Sequence, residues 1–274
     1  MEDLSTFQTV CNPKEAHARL RGVETLKSPD ESDNYIHVIK SIITDYKDTS
    51  LIVKVQPPGL QFQKEIRAQE SLRDQNNVIR FICNFSCPFE LIEWSAPIKT
   101  PRPFCTASTG EELNIILMEY ISHDLAKFLE EDVYGPDILE SIVKQVGFSL
   151  MEIHFNRGIS HNYINRGNIL LDIDKPKIIE YKIGALKASI NTLGHECVWL
   201  DFERSTVLSN KKNRDAIMFA ANEISIAFYY LSRWAKPYRA VLEDLTNAIA
   251  EATTIRSIFN LIRDFSLTTV VPSK

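Results

Sequence analysis

The chain has 274 residues, 44% of them apolar and 24% charged, with a formal net charge of −5. That make-up suits one large globular domain or two lobes with a sizeable core, and the negative balance argues against nucleic-acid or membrane-surface binding, since both targets are anionic. No apolar run approaches the roughly 20 residues needed to span a bilayer, and Met1-Glu2-Asp3-Leu4 has neither a basic start nor an apolar core, so no secretory signal is expected.

Residues 35–43 are β-branched and apolar, and 51–55 form a second such run, so two strands are expected with a polar turn over 44–49. Pro57-Pro58-Gly59 breaks the chain, after which Phe62, Ile66, Gln69 and Leu72 share one helical face. Cys83 and Cys87 are four apart, but no Cys/His pair follows at zinc-ligand spacing, so they read as small buried hydrophobes. The five cysteines are odd in number and scattered, which suits reduced thiols inside the cell, in cytoplasm or nucleus.

Residues 95–112 have the Pro/Ser/Thr/Gly content of a surface loop, leading into a buried strand over 113–118. From Pro136, apolar residues recur at helical spacing until Gly158, a residue suited to cap the C-terminus. Residues 214–234 are apolar nearly all round, which predicts a centrally buried helix. Two short covering helices are expected over 242–249 and 253–265. Strands first and helices later make an α+β chain.

The most specific stretch is His161-Asn162-Tyr163-Ile164-Asn165-Arg166-Gly167-Asn168-Ile169-Leu170-Leu171, followed by Leu200-Asp201-Phe202-Glu203. It resembles the catalytic and metal-binding loops of the protein-kinase-like superfamily, whose pattern is His-x-Asp, four residues, Asn, then Asp-Phe-Gly. The Gly-Asn-Ile-Leu-Leu and Asp-Phe-Glu segments are also similar to the choline-kinase-like and aminoglycoside-phosphotransferase-like branches. The resemblance implies a two-lobed fold: an N-terminal extension over 1–23, a small, mainly β lobe with one helix over 24–119, and a reduced, mainly helical lobe over 120–274.

Carried over residue by residue, the resemblance gives Lys54 the role of phosphate-binding lysine and Glu65 that of its ion-pair partner. Met118 takes the gatekeeper position, and Glu119 and Ile121 belong to the hinge that contacts adenine. Leu170 belongs to the nucleotide pocket, His161 is structural, and Asn168 and Asp201 are the Mg²⁺ ligands, with Glu203 as a further candidate. Asn222-Glu223 sits where the central helix of the family starts with an aspartate. ATP and Mg²⁺ are the cofactors so implied.

The departures from the family pattern matter as much. Tyr163 holds the place of the catalytic aspartate, and a phenol donates where an anionic acceptor is required. Asn165 replaces the lysine of serine/threonine kinases, Glu203 the glycine of Asp-Phe-Gly, and Ile52 a small alanine against adenine. Gln69 stands at a position that is normally apolar. No glycine occurs between Val23 and Pro58, where the family places a glycine-rich loop, and Ser28–Asn34 carries three carboxylates that would repel a triphosphate. The residues 174–197 are more than either branch needs, and the short segment after Asp201 lacks an Ala-Pro-Glu triplet. These losses imply a pseudokinase that binds a protein partner as a scaffold or allosteric module, with weak or no ATP binding. The alternative is an active, divergent phosphotransferase on protein or a small hydroxylated substrate. Asp172 and Asp174 are then the carboxylates nearest in sequence to Tyr163.

Overall fold

The computed structural model describes residues 7–27, 37–44, 46–89, 100–105, 111–174, 176–208 and 213–267. They fall into two compact units, the first from Met1–Glu70 with Ile79–Tyr120 and the second from Ser71–Val78 with Ile121–Lys274.

The first unit opens with helix α1 (Pro13–Arg19), started by the Asn12 side chain, which accepts the Glu15 N–H. It runs into β1 (Leu20–Lys27), so residues 7–23, expected as an extension, supply a helix and the start of a strand of the sheet. Then come β2 (His37–Ile43), β3 (Tyr46–Gln56), helix α2 (Leu60–Ser71), β4 (Phe81–Phe89), β5 (Arg102–Pro103) and β6 (Glu111–Glu119). They form one antiparallel sheet in the order β4-β6-β3-β2-β1-β5. Strand β3 starts at Tyr46, so residues 46–49 of the polar run 44–49 belong to the strand and not to a turn.

On β3, Leu51, Val53 and Val55 face a core shared with Leu20, Ile39, Phe89, Phe104 and Ile115, while Ile52, Lys54 and Gln56 alternate to the other face. The sheet curls until its two edges meet. Phe89 of β4 stacks on Phe104 beside β5, with ring centroids 6.1 Å apart. Two disulfides join the same regions, Cys11–Cys83 and Cys87–Cys105, with Cα atoms 5.9 and 5.3 Å apart. The expectation of reduced thiols is therefore corrected. Scatter along the sequence said nothing of spatial pairing, and the curl brings these four together. Only Cys197 is a free thiol, and it is buried.

The second unit contains β7 (His123–Asp124), α3 (Leu125–Glu130) and α4 (Pro136–Glu152), which continues as a π-helical turn over Ile153–Arg157. Gly158 ends it at φ 70°, a left-handed conformation that glycine adopts without a Cβ penalty. Next are β8 (Ile159–Ser160), a 3₁₀ turn (Arg166–Asn168), β9 (Ile169–Ile173), β10 (Ile178–Ile183), β11 (Leu186–Asn191), β12 (His195–Trp199) and β13 (Thr206–Val207). Helices α5 (Arg214–Trp234), α6 (Arg239–Ala250) and α7 (Ile255–Asp264) close the unit. Gly147 of α4 lets the helices approach closely, because a Cβ there would lie 2.8 Å from Ile262 and 3.0 Å from Phe228. None of the described helices is long and apolar enough to cross a membrane.

Two expectations change in this unit. The extra residues after the Asn168 loop form the antiparallel hairpin β10–β11, whose inward Tyr181 packs on Phe148 and donates its OH to Asn77 Oδ1 at 2.6 Å. Helix α5 is not buried all round. Ala220, Ile224, Phe228 and Leu231 are inside, whereas Met218, Phe219, Ile226 and Tyr229 are 57, 53, 37 and 46% exposed. Counting apolar residues around the helix could not separate its packed side from its open one.

Candidate functional site

The first unit holds four of the residues to which the resemblance gives roles, Lys54, Glu65, Met118 and Glu119. Lys54 is 5% exposed and its Nζ lies 2.8 Å from Glu65 Oε2, with Glu65 fully buried on α2. Gln56 Nε2 donates to the same oxygen at 3.4 Å. A buried lysine and glutamate persist only when each compensates the other, so β3 and α2 are fixed face to face by this pair. Met118 is buried on β6 opposite Ile52 of β3 and Phe81 of β4. Glu119 accepts the Arg80 N–H at 2.9 Å, and its own N–H donates to the Arg80 carbonyl at 3.1 Å. The acidic segment Ser28–Asn34 lies outside the described residues.

One turn along α2 from Glu65, Gln69 is fully buried, and neither of its amide atoms has a hydrogen-bond partner among the described residues. Such an amide costs about 1–3 kcal/mol. Gln69→Leu, close in volume, is expected to stabilise the protein by roughly 1–2 kcal/mol and raise Tm by a few degrees. A fall in Tm on thermal unfolding would mean that an ordered water satisfies the amide.

In the second unit the Asn168 loop is organised by Glu223 of α5. Its Oε2 accepts from His154 Nε2 and, at 3.1 Å, from the His161 N–H, while Oε1 accepts the Asn162 N–H. Burial alone would raise the Glu223 carboxyl, but the hydrogen bonds from His154 and Asn162 outweigh it and hold the group below the ordinary glutamate range. Asn162 adopts φ 58°, and its side chain ties Ser160, Thr206 and the Arg204 carbonyl together.

His161 is fully buried against the rings of Phe202 and Trp199. Its Nε2–H donates to the Leu200 carbonyl at 2.9 Å and Nδ1 accepts the Tyr163 N–H at 3.3 Å, so these bonds define a neutral ring. Burial lowers its pKa to match. Asn168 Nδ2 donates to the Tyr163 carbonyl at 2.7 Å, and the Asn168 carbonyl accepts the Leu200 N–H at 3.2 Å. The side-chain amide thereby turns its NH₂ to the loop, and Asp201 lies one residue beyond the bonded Leu200.

Asp201 is half-buried at φ 65°, in the left-handed region. The tight turn thus falls on Asp201, and Glu203, buried at 7% exposure, needs none of the freedom of the glycine it replaces. Glu203 Oε1 lies 3.8 Å from Arg204 Nε. The Arg204 guanidinium is centred 4.0 Å above the Tyr163 ring, a cation–π contact. Leu170 is half-buried on β9 opposite Val198, and Ile121 is half-buried just before β7. Asp172 sits farther along β9, opposite Glu196.

Arg204 was not among the residues singled out from the sequence, although it directly follows Asp-Phe-Glu. His154 was given no role of its own. Its signal was faint: a polar residue in the π-helical turn that continues α4, one turn before Gly158, after the likewise buried Gln145, Ser149 and Glu152.

No protein-family model matches the sequence, and no curated protein matches it. Among solved structures, the chain is similar to a divergent kinase lacking the glycine-rich loop, which regulates membrane ultrastructure of the Toxoplasma parasitophorous vacuole. The TM-score is 0.50 at 12% identity, over 80% of this chain and 74% of that one. An identity so low speaks for the fold alone. With a curled antiparallel sheet followed by a helical unit carrying the His161, Asn168 and Asp201 loops, the chain has a protein-kinase-like fold.

Proposed function

We propose that this protein is a pseudokinase, a kinase-like domain that binds a protein partner as a scaffold or allosteric module and binds ATP weakly or not at all. The stack of Arg204 on Tyr163 carries this reading. Phosphoryl transfer to a hydroxyl needs an anionic group that orients the acceptor. Here a phenol ring takes that place and a guanidinium lies 4.0 Å over it, so the local charge has the opposite sign. Asn165 in place of a lysine and Ile52 against the adenine position point the same way. The missing glycine-rich loop weighs less, because the Toxoplasma protein is described as a kinase that also lacks it.

A second reading, a divergent phosphotransferase, is favoured by the Lys54–Glu65 pair, which is formed and buried. Asn168 Oδ1 and the Asp201 carboxylate are hard oxygen donors that suit Mg²⁺, with Glu203 as a further ligand. The ion would neutralise a triphosphate.

Thermal unfolding with ATP, with and without Mg²⁺, separates the two. Ligand at 100 times its Kd adds about 2.7 kcal/mol, a shift of several degrees for a chain of this size. The pseudokinase reading expects no shift at millimolar ATP and no incorporation of labelled γ-phosphate. A Mg²⁺-dependent shift abolished by Asp201→Asn, with incorporation that survives Tyr163→Phe, would replace it with the second.

A further inference from the structure

The cysteines of the first unit are arranged in a way that the kinase-like site does not use. Cys83 and Cys87 lie on β4, one edge of the six-stranded sheet, and β4 alternates so that 83, 85, 87 and 89 share its inner face. Their partners belong to the opposite edge. Cys11 immediately precedes the Asn12 cap of α1, which feeds β1, and Cys105 follows β5, the last strand on that side. Both cross-links therefore span the seam where the curled sheet closes on itself. Cys87 and Cys105 are 1 and 4% exposed, and the His17 ring meets the Cys105 carbonyl, so the seam is packed as well as bonded.

Disulfides of this kind form and persist where the surroundings are oxidising and are rare where glutathione and thioredoxin keep thiols reduced. A small unit built on one curled sheet gains most from such staples. We infer that this protein folds and works in an oxidising compartment, a secretory or vacuolar lumen or the cell exterior, where Cys11–Cys83 and Cys87–Cys105 lock the sheet shut. Four thiols become two S–S bonds with release of four protons and four electrons. The acceptor is a thiol–disulfide oxidoreductase of the lumen, two of whose disulfides are reduced to dithiols. Cys197 stays outside this chemistry: it is fully buried on β12 of the other unit, and burial pushes its thiol pKa up, away from the reactive thiolate.

The test uses the full-length chain captured from the cells that make it, with thiols trapped by acid quench and alkylation at lysis. Peptide mapping without reduction then reads the linkages, and only Cys197 is expected to carry the alkyl label after denaturation. Alkylated Cys11, Cys83, Cys87 and Cys105 in the native material would overturn the inference, as would a Cys83–Cys87 link. A second measurement compares chains expressed in a secretory lumen and in a reducing cytosol. The lumenal chain should unfold at a higher temperature, and dithiothreitol should remove the difference. Equal Tm values insensitive to dithiothreitol, with all five thiols free in both preparations, would sink it.

Discussion

Glu223→Leu is expected to lower the stability of the folded protein by about 3–5 kcal/mol and Tm by on the order of 10 °C. The glutamate is 4% exposed and accepts from three donors, His154 Nε2–H and the backbone N–H groups of His161 and Asn162. Leucine fills similar space but accepts nothing, so three buried donors lose their partner at once, each at about 1–3 kcal/mol before relaxation. Glu223→Gln keeps one accepting oxygen and should cost roughly half as much. Urea unfolding gives the free energies, and hydrogen exchange at the Asn162 amide reports whether the loop at φ 58° loosens with the loss of its acceptor. A loss below about 1 kcal/mol with Leu would show that the helix packing of α5, not this carboxylate, fixes the loop.

The same cluster sets the response to acid. Glu223 has a folded pKa below its unfolded one, so its contribution is complete above about pH 4.3 and is lost as pH falls through the folded value. His161 is also lowered, by burial, so the unfolded chain takes up its proton first and stability declines below about pH 6.5. Glu152, raised by burial, acts oppositely and loses stability as pH rises past its unfolded value. His161 therefore lowers Tm from about pH 6.5 downward, against the opposing gain at Glu152, and Glu223, joined by Glu140, adds a further fall below about pH 4.3. In Glu223→Leu the steep lowest part of that fall should flatten.

The loop carrying this cluster was legible in the sequence because its spacing is fixed by chemistry. His161, Asn168 and Asp201 stand at set intervals, and their carbonyl and amide bonds to Leu200 and Tyr163 depend on those intervals. Helix α4 with Gly158 was legible for a similar reason, since both periodicity and cap are local. Strand β4 was not. Its residues Cys83-Asn84-Phe85-Ser86-Cys87-Pro88 mix polar and apolar groups because its inner face is disulfide and aromatic, with no aliphatic run, and Asn84 and Ser86 alternate to the other face. The contact of Arg204 with Tyr163 spans 41 positions, and nothing local in either residue announces it. The hairpin β10–β11 did alternate, Ile179, Tyr181 and Ile183 inward, but its length read only as an excess over a familiar loop.

Removing the Cys11–Cys83 bond by the paired change Cys11→Ala with Cys83→Ala is expected to cost about 4 kcal/mol, and Cys87→Ala with Cys105→Ala about 3 kcal/mol. The order follows from loop length. The first bond closes a sequence separation of 72 and the second one of 18, and chain entropy makes the longer loop worth about 1 kcal/mol more. The two loops do not overlap in sequence, so reduction of both should cost about the sum, roughly 7 kcal/mol. That is within the whole stability of an ordinary domain, so the first unit is expected to unfold on reduction at 37 °C. Urea midpoints of the two paired variants and of the reduced wild type measure all three quantities. If the shorter loop proves the costlier, native packing at the seam, the Phe89–Phe104 stack beside Cys87–Cys105, outweighs the entropy of the unfolded chain. If neither change costs more than about 1 kcal/mol, the apolar core holds the curled sheet closed without covalent help.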